Sequence, residues 1–116
     1  MEYDTVFWEY LEKIVQDNEI ILDRHKGTRH PKYASIRYEI DYGYIKNTKS
    51  MDGGGIDVFI GSENNKKVDA IVCTIDLLKK DSEIKILLGC TEEEKINVYT
   101  FLNNSEYMKA LLIKKK

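Results

Sequence analysis

Apolar positions recur at intervals of three and four near the start of the chain. Val6, Phe7, Tyr10, Leu11, Ile14 and Val15 form one stripe, which predicts a helix over residues 4–17. Asp4 stands where a side chain can accept the orphan N–H groups of that helix, and Asp17-Asn18 ends it. Ile20-Ile21-Leu22 reads as a short strand. The polar stretch from Asp23 to Lys32 has neither helical nor strand period and reads as loop or irregular edge. The period then changes to two: Ile36, Tyr38, Ile40 and Tyr42 share one side of a strand from Ile36 to Ile45.

Met51-Asp52-Gly53-Gly54-Gly55 is a turn by composition, followed by the short strand Ile56 to Ile60, which Gly61 closes. Another turn, Glu63 to Lys66, precedes a long strand from Val68 to Leu77. The charged loop Lys79-Lys80-Asp81-Ser82 leads to a last strand, Ile84 to Leu88. Thr91 and Glu94 have capping-box spacing and open a second helix carrying Ile96, Val98, Tyr99 and Leu102. Tyr107 to Ile113 is apolar but too short to assign to helix or strand. Helix, about five short strands and helix, without crossover helices, predict an α+β fold with a mainly antiparallel sheet closed into a small barrel. No repeat or linker divides residues 1–116, so one domain is expected.

Composition narrows the classes. At 116 residues, 42% hydrophobic and 33% charged, the chain has the balance of one globular domain. No apolar run approaches the roughly 20 residues that cross a bilayer. The start MEYDTVFWEY lacks a secretion signature, so a cytoplasmic protein without membrane contact is expected. A net charge of −2 gives no general attraction to nucleic acid, and none is expected as a partner. Lys114 to Lys116 reads as a solvated tail. Cys73 and Cys90 stand apart and read as reduced packing residues, not zinc ligands.

Four carboxylates carry the candidate chemistry. Asp57 and Asp76 interrupt apolar strands, where an ionised group needs a counter-charge. Asp52 lies five positions before Asp57, and Asp81 five positions after Asp76, each across a turn. If these acids converge at one end of the sheet, they form the kind of oxygen site that holds magnesium together with substrate phosphates. The alternative stays open, because Asp-Gly is a common turn and aspartates at strand ends often cap backbone N–H groups. Lys26, Arg29 and Lys32, beside Gly27, suit phosphate oxygens or simply a solvated loop.

Taken together and in order, these segments resemble the soluble inorganic pyrophosphatases of the barrel type. Asp23 to Tyr33 resembles the family stretch E-x-P-K-G-S-R-x-K-Y, and Tyr38 to Ile45 resembles Y-P-x-N-Y-G-F/Y-I. Asp52-Gly53-Gly54-Gly55-Ile56-Asp57-Val58 resembles the signature D-G-D-P-x-D-V, and Asp76 with Asp81 matches a strand-end pair. The similarity covers about residues 20–89.

The resemblance implies a five-stranded barrel of the oligonucleotide-binding type with the two helices packed outside. It implies a magnesium-dependent hydrolase that cleaves pyrophosphate, or a related small phosphoanhydride, with metal-activated water. Asp52, Asp57, Asp76 and Asp81 would be metal ligands, with Asp23 in place of an early glutamate. Asp57, Tyr42 and Lys32 would serve catalysis, while Lys26, Arg29, Lys32, Tyr42, Arg37 and Lys85 would contact phosphate. A homo-oligomer is also implied.

The chain departs from the family pattern in four ways. Gly54 replaces a metal-bridging aspartate, and Asp23 is shorter than the family glutamate. The hairpin between the first two motifs is nearly absent, taking an arginine for which Arg37 is the nearest substitute. Glu83 occupies a family lysine position, so Lys85 serves only with a shifted register. These departures make a catalytically impaired domain, binding metal–phosphate ligands without efficient turnover, the alternative expectation.

Overall fold

The computed structural model describes residues 3–29 and 38–115. The chain runs α1 (Asp4–Asp17), β1 (Ile20–Arg24), β2 (Asp41–Ile45), β3 (Ile56–Ile60), β4 (Val68–Asp76), β5 (Asp81–Leu88), α2 (Glu92–Asn103) and β6 (Met108–Lys114). The strands form one six-stranded sheet in the order β1-β2-β3-β5-β4-β6. β3 and β5 are parallel, and the other neighbours are antiparallel.

This is an α+β fold, but the sheet is open and has one strand more than the expected five-stranded barrel. Burial along the central strands gives the reason. Val58 and Phe59 are adjacent and both essentially inaccessible, as are Ile86 and Leu87. Successive strand residues point to opposite faces, so both faces of the sheet need cover. The helices provide it. Trp8, Leu11 and Val15 of α1 pack with Ile45, Val58, Ile86 and Leu88 on one face. On the other, Val98 and Leu102 of α2 pack with Phe59, Val72, Leu87 and Ala110. A closed barrel of this size has only one interior.

The tail that periodicity left unassigned becomes β6, pairing along β4 from Asp76–Met108 to Ala70–Lys114. Asn103 covers part of its outer edge, accepting from the Ala110 N–H at 3.0 Å and donating to the Ala110 carbonyl at 3.1 Å. A side-chain amide thus takes the place of a further strand. The Val68/Ala70 register shift puts Val68 and Ile71 in one core and Ala70 and Val72 in the other. Asp69, between them, accepts a hydrogen bond from the Cys90 N–H.

Other boundaries shift for local reasons. Tyr3, not Asp4, is the N-cap residue of α1; Asp4 lies in the first turn, where a negative charge still suits the helix dipole. Trp8 anchors α1, whereas Val6, Phe7 and Tyr10 of the expected stripe are exposed. The Thr91–Glu94 capping box forms as its spacing predicts. Strand β2 begins only at Asp41, because Glu39 and Ile40 lie in a bend. The start of the expected strand, Ile36 and Arg37, lies outside the described residues.

Candidate functional site

Strand parity gathers most of the charged strand residues on the α2 face. Directly paired residues share a face, so Tyr44 with Asp57, Tyr42 with Phe59, Thr74 with Glu83, Val72 with Lys85, and Asp76 with Asp81 all face the α2 side. The helix covers only part of this surface. Beyond it lies an open cleft of about 1060 Å³, bordered by Arg24, Tyr38, Tyr42, Asp76, Lys79 and Lys85. A second hollow of about 800 Å³ lies mainly on the α1 side among Leu11, Ile56, Cys73, Ile75 and Ile84, and its lining is largely apolar.

Lys85 organises the charged row. It is only 6% exposed, and its Nζ lies 2.6 Å from Asp57 Oδ2 and 3.0 Å from Glu83 Oε2. Burial opposes its charge, but the two carboxylates outweigh that cost and hold the ammonium above the ordinary lysine value. Glu83 also accepts a hydrogen bond from Ser50 Oγ at 3.1 Å. Burial and the neighbouring Asp57, to which its hydroxyl is hydrogen-bonded, push the Tyr42 phenol well above its usual pKa. Arg24 donates to the Tyr38 hydroxyl and lies over the Tyr38 and Tyr42 rings, 5.2 and 5.8 Å from their centroids.

The expected metal ligands divide into separate groups. Asp57 belongs to the Lys85 network, and Asp52 borders it through Glu83. Asp52 also folds back on its own turn, accepting from the Gly54 N–H at 2.9 Å; that bond, ahead of its contacts with Glu83, Lys79 and Lys85, holds its carboxyl below the usual range. Asp76 and Asp81 face each other where β4 turns into β5. Asp76 Oδ1 accepts from the Leu78 and Lys79 N–H groups, both at 2.9 Å, and so shapes that turn. Asp23 is exposed at the β1 bulge. Among the described residues, no three His, Cys, Asp or Glu side chains come together as a metal-binding group. An ammonium lies between Asp57 and Glu83, and that pair as folded does not fit a divalent ion.

Of the expected phosphate contacts, Tyr42 and Lys85 border the cleft. Lys26 and Arg29 lie in the exposed segment after β1, where the Lys26 backbone N–H donates to Asp41 at 2.7 Å. Lys32 and Arg37 lie outside the described residues. Arg24, Tyr38, Lys79 and Glu83 are cleft or network residues outside the expected site residues. For Glu83 a signal was present: with Lys85 it flanks Ile84 at strand period, opposite Thr74 and Val72. Arg24 becomes visible only through its pairing with Tyr42.

Comparisons with known proteins bear on the family and on the fold. A family model described as Inorganic Pyrophosphatase matches residues 15–111. An inorganic pyrophosphatase from Helicobacter pylori has a similar fold, with a TM-score of 0.64 and 12% identity over 83% of each chain. An inorganic phosphatase from Anaplasma phagocytophilum aligns with a TM-score of 0.57 and 13% identity, covering 84% of this chain and 82% of that one. No curated protein matches the sequence. Because the family model spans most of the length, through both halves of the charged row, this chain belongs to the inorganic pyrophosphatase family.

Proposed function

We propose that the chain is a hydrolase of inorganic pyrophosphate, or of a related small phosphoanhydride, holding its substrate in the cleft on the α2 face. The carrying observation is that the cleft joins cationic Arg24, Lys79 and Lys85 to Tyr42 and Asp57 in a chain of this family. Arg24 and Lys79 bring positive charge to phosphate oxygens, and phosphoryl transfer depends chiefly on positioning and charge neutralisation. Magnesium, expected on Asp52, Asp57, Asp76, Asp81 and Asp23, is the finer part of the proposal. No step is assigned to it, since Lys85 occupies the position beside Asp57.

A second reading, binding without efficient turnover, is favoured by two observations. Gly54 stands where a bridging carboxylate is expected, and Asp57 is already engaged by Lys85 and Tyr42. Phosphate release from pyrophosphate, with and without magnesium, tests both readings. Turnover by the natural chain that Asp57→Ala abolishes supports hydrolysis. Equal background rates for both proteins reject it, and saturable pyrophosphate binding at the same time supports the second reading.

Self-association and a cytoplasmic location complete the proposal. The exposed apolar residues Ile75, Ile84, Leu111 and Ile113 support self-association. Sedimentation equilibrium of the natural chain and Leu111→Lys tests it, and a monomer in both cases sinks it.

A further inference from the structure

Lys85 sits where the chemistry of a carboxylate cluster calls for a cation. Its side chain is 8% exposed, those of Asp57 and Glu83 are 16% and 8% exposed, and among the described residues no three metal-ligating side chains group around them. An ammonium has three donors; here one goes to Asp57 and one to Glu83. The position is fixed by the strand, not by a flexible loop, because Lys85 lies inside β5 opposite Val72. Two carboxylates with one lysine keep a residual charge of about −1, whereas two carboxylates with a divalent ion would be neutral. Magnesium requires near-octahedral oxygen contacts at about 2.0–2.1 Å and tolerates no ammonium among its ligands.

We propose that Lys85 is a resident cation that replaces a divalent ion on Asp57 and Glu83, so that the chain folds and keeps its cleft assembled without loading metal there. Resting on the function proposed above, it follows that a phosphoanhydride enters the cleft without needing an ion on Asp57. Arg24 and Lys79 then meet its charge directly. Metal enters this site only when the lysine is removed.

The experiment is a Mn2+ titration of the full chain, followed by the loss of the free-ion paramagnetic resonance signal, on the natural protein, Lys85→Met and Asp57→Asn. The natural chain is expected to show no saturable site that depends on Asp57. Lys85→Met is expected to bind at least about tenfold more tightly, because it frees Asp57 and Glu83 as ligands. A saturable natural site lost in Asp57→Asn overturns the proposal, and this comparison does not require Lys85→Met to fold. A folded Lys85→Met with no gain in binding overturns it as well. Calorimetry with inorganic pyrophosphate, with and without chelator, separates the two ideas. Absence of pyrophosphate binding in both conditions refutes the proposed function and leaves the Mn2+ result to decide the role of Lys85. Binding that vanishes with chelator overturns the metal-independent cleft.

Discussion

Lys85 Nζ lies 2.6 Å from Asp57 Oδ2, joining the middle of β5 to β3 across their parallel pairing. Asp57 therefore has a counter-charge supplied by the chain itself. Removing one partner leaves the other charged and mostly buried, which typically costs about 3–5 kcal/mol. Lys85→Met alone is expected to lose stability on that scale. Asp57→Asn combined with Lys85→Met should lose less, because only one carboxylate, Glu83, is then left without its ammonium instead of two. Urea denaturation of the two variants measures this, and equal losses would mean that the pair is not energetically coupled.

The same pair sets a dependence on alkaline pH. Asp57 and Glu83 hold the folded-state value of Lys85 above the ordinary 10.5, despite burial. A raised folded value means that the contribution is complete below the unfolded value and disappears as pH rises through the folded one. The stability advantage of the natural chain over the Asp57→Asn, Lys85→Met double variant should stay level up to about pH 10 and then shrink. Thermal unfolding at stepped pH checks it. An advantage that instead fades near neutrality would assign the effect to another group.

Two adjacent glycines should respond differently to substitution. At Gly54 an added Cβ meets only the Asp52 carboxylate, with Oδ1 at 3.4 Å, and the backbone is not left-handed. At Gly55 it would lie 2.7 Å from Tyr44 Cδ2 and 2.8 Å from the Ile45 carbonyl. Gly54→Asp is expected to fold with a change within about 1 kcal/mol, whereas Gly55→Asp should be lowered by several times that. If the missing carboxylate limits turnover, Gly54→Asp raises phosphate release from pyrophosphate, by up to about 3–4 kcal/mol of barrier. An unchanged rate in a folded Gly54→Asp protein would locate the limitation elsewhere.

Trp8 is the anchor of α1. It is 7% exposed and packs in the core shared with Val58 and Ile86. Trp8→Ala should cost about 3–5 kcal/mol, whereas Tyr10→Ala on the same helix, exposed to 71%, should cost little. Circular dichroism melts of both variants test the assignment, and a comparable loss for Tyr10→Ala would mean that the outer face of α1 is also covered.

Local pattern determined much of this protein. The period in residues 4–17, the Thr91–Glu94 capping box and the turn chemistry around Asp52 specify elements through neighbours a few residues apart, and each forms. The order of motifs also carried the family, since that too is a property of the linear chain. Closure of the sheet was different. Whether β6 pairs with β4, or a barrel closes instead, depends on partners far apart in sequence and on both faces of β3 and β5 needing a helix. The aspartates divide along the same line. Their spacing showed that charges interrupt apolar strands, but only the tertiary register could show that Lys85 reaches Asp57 from the neighbouring strand while Asp76 is spent on its own turn. Counter-charge is a matter of distance in space, and spacing along the chain does not contain it.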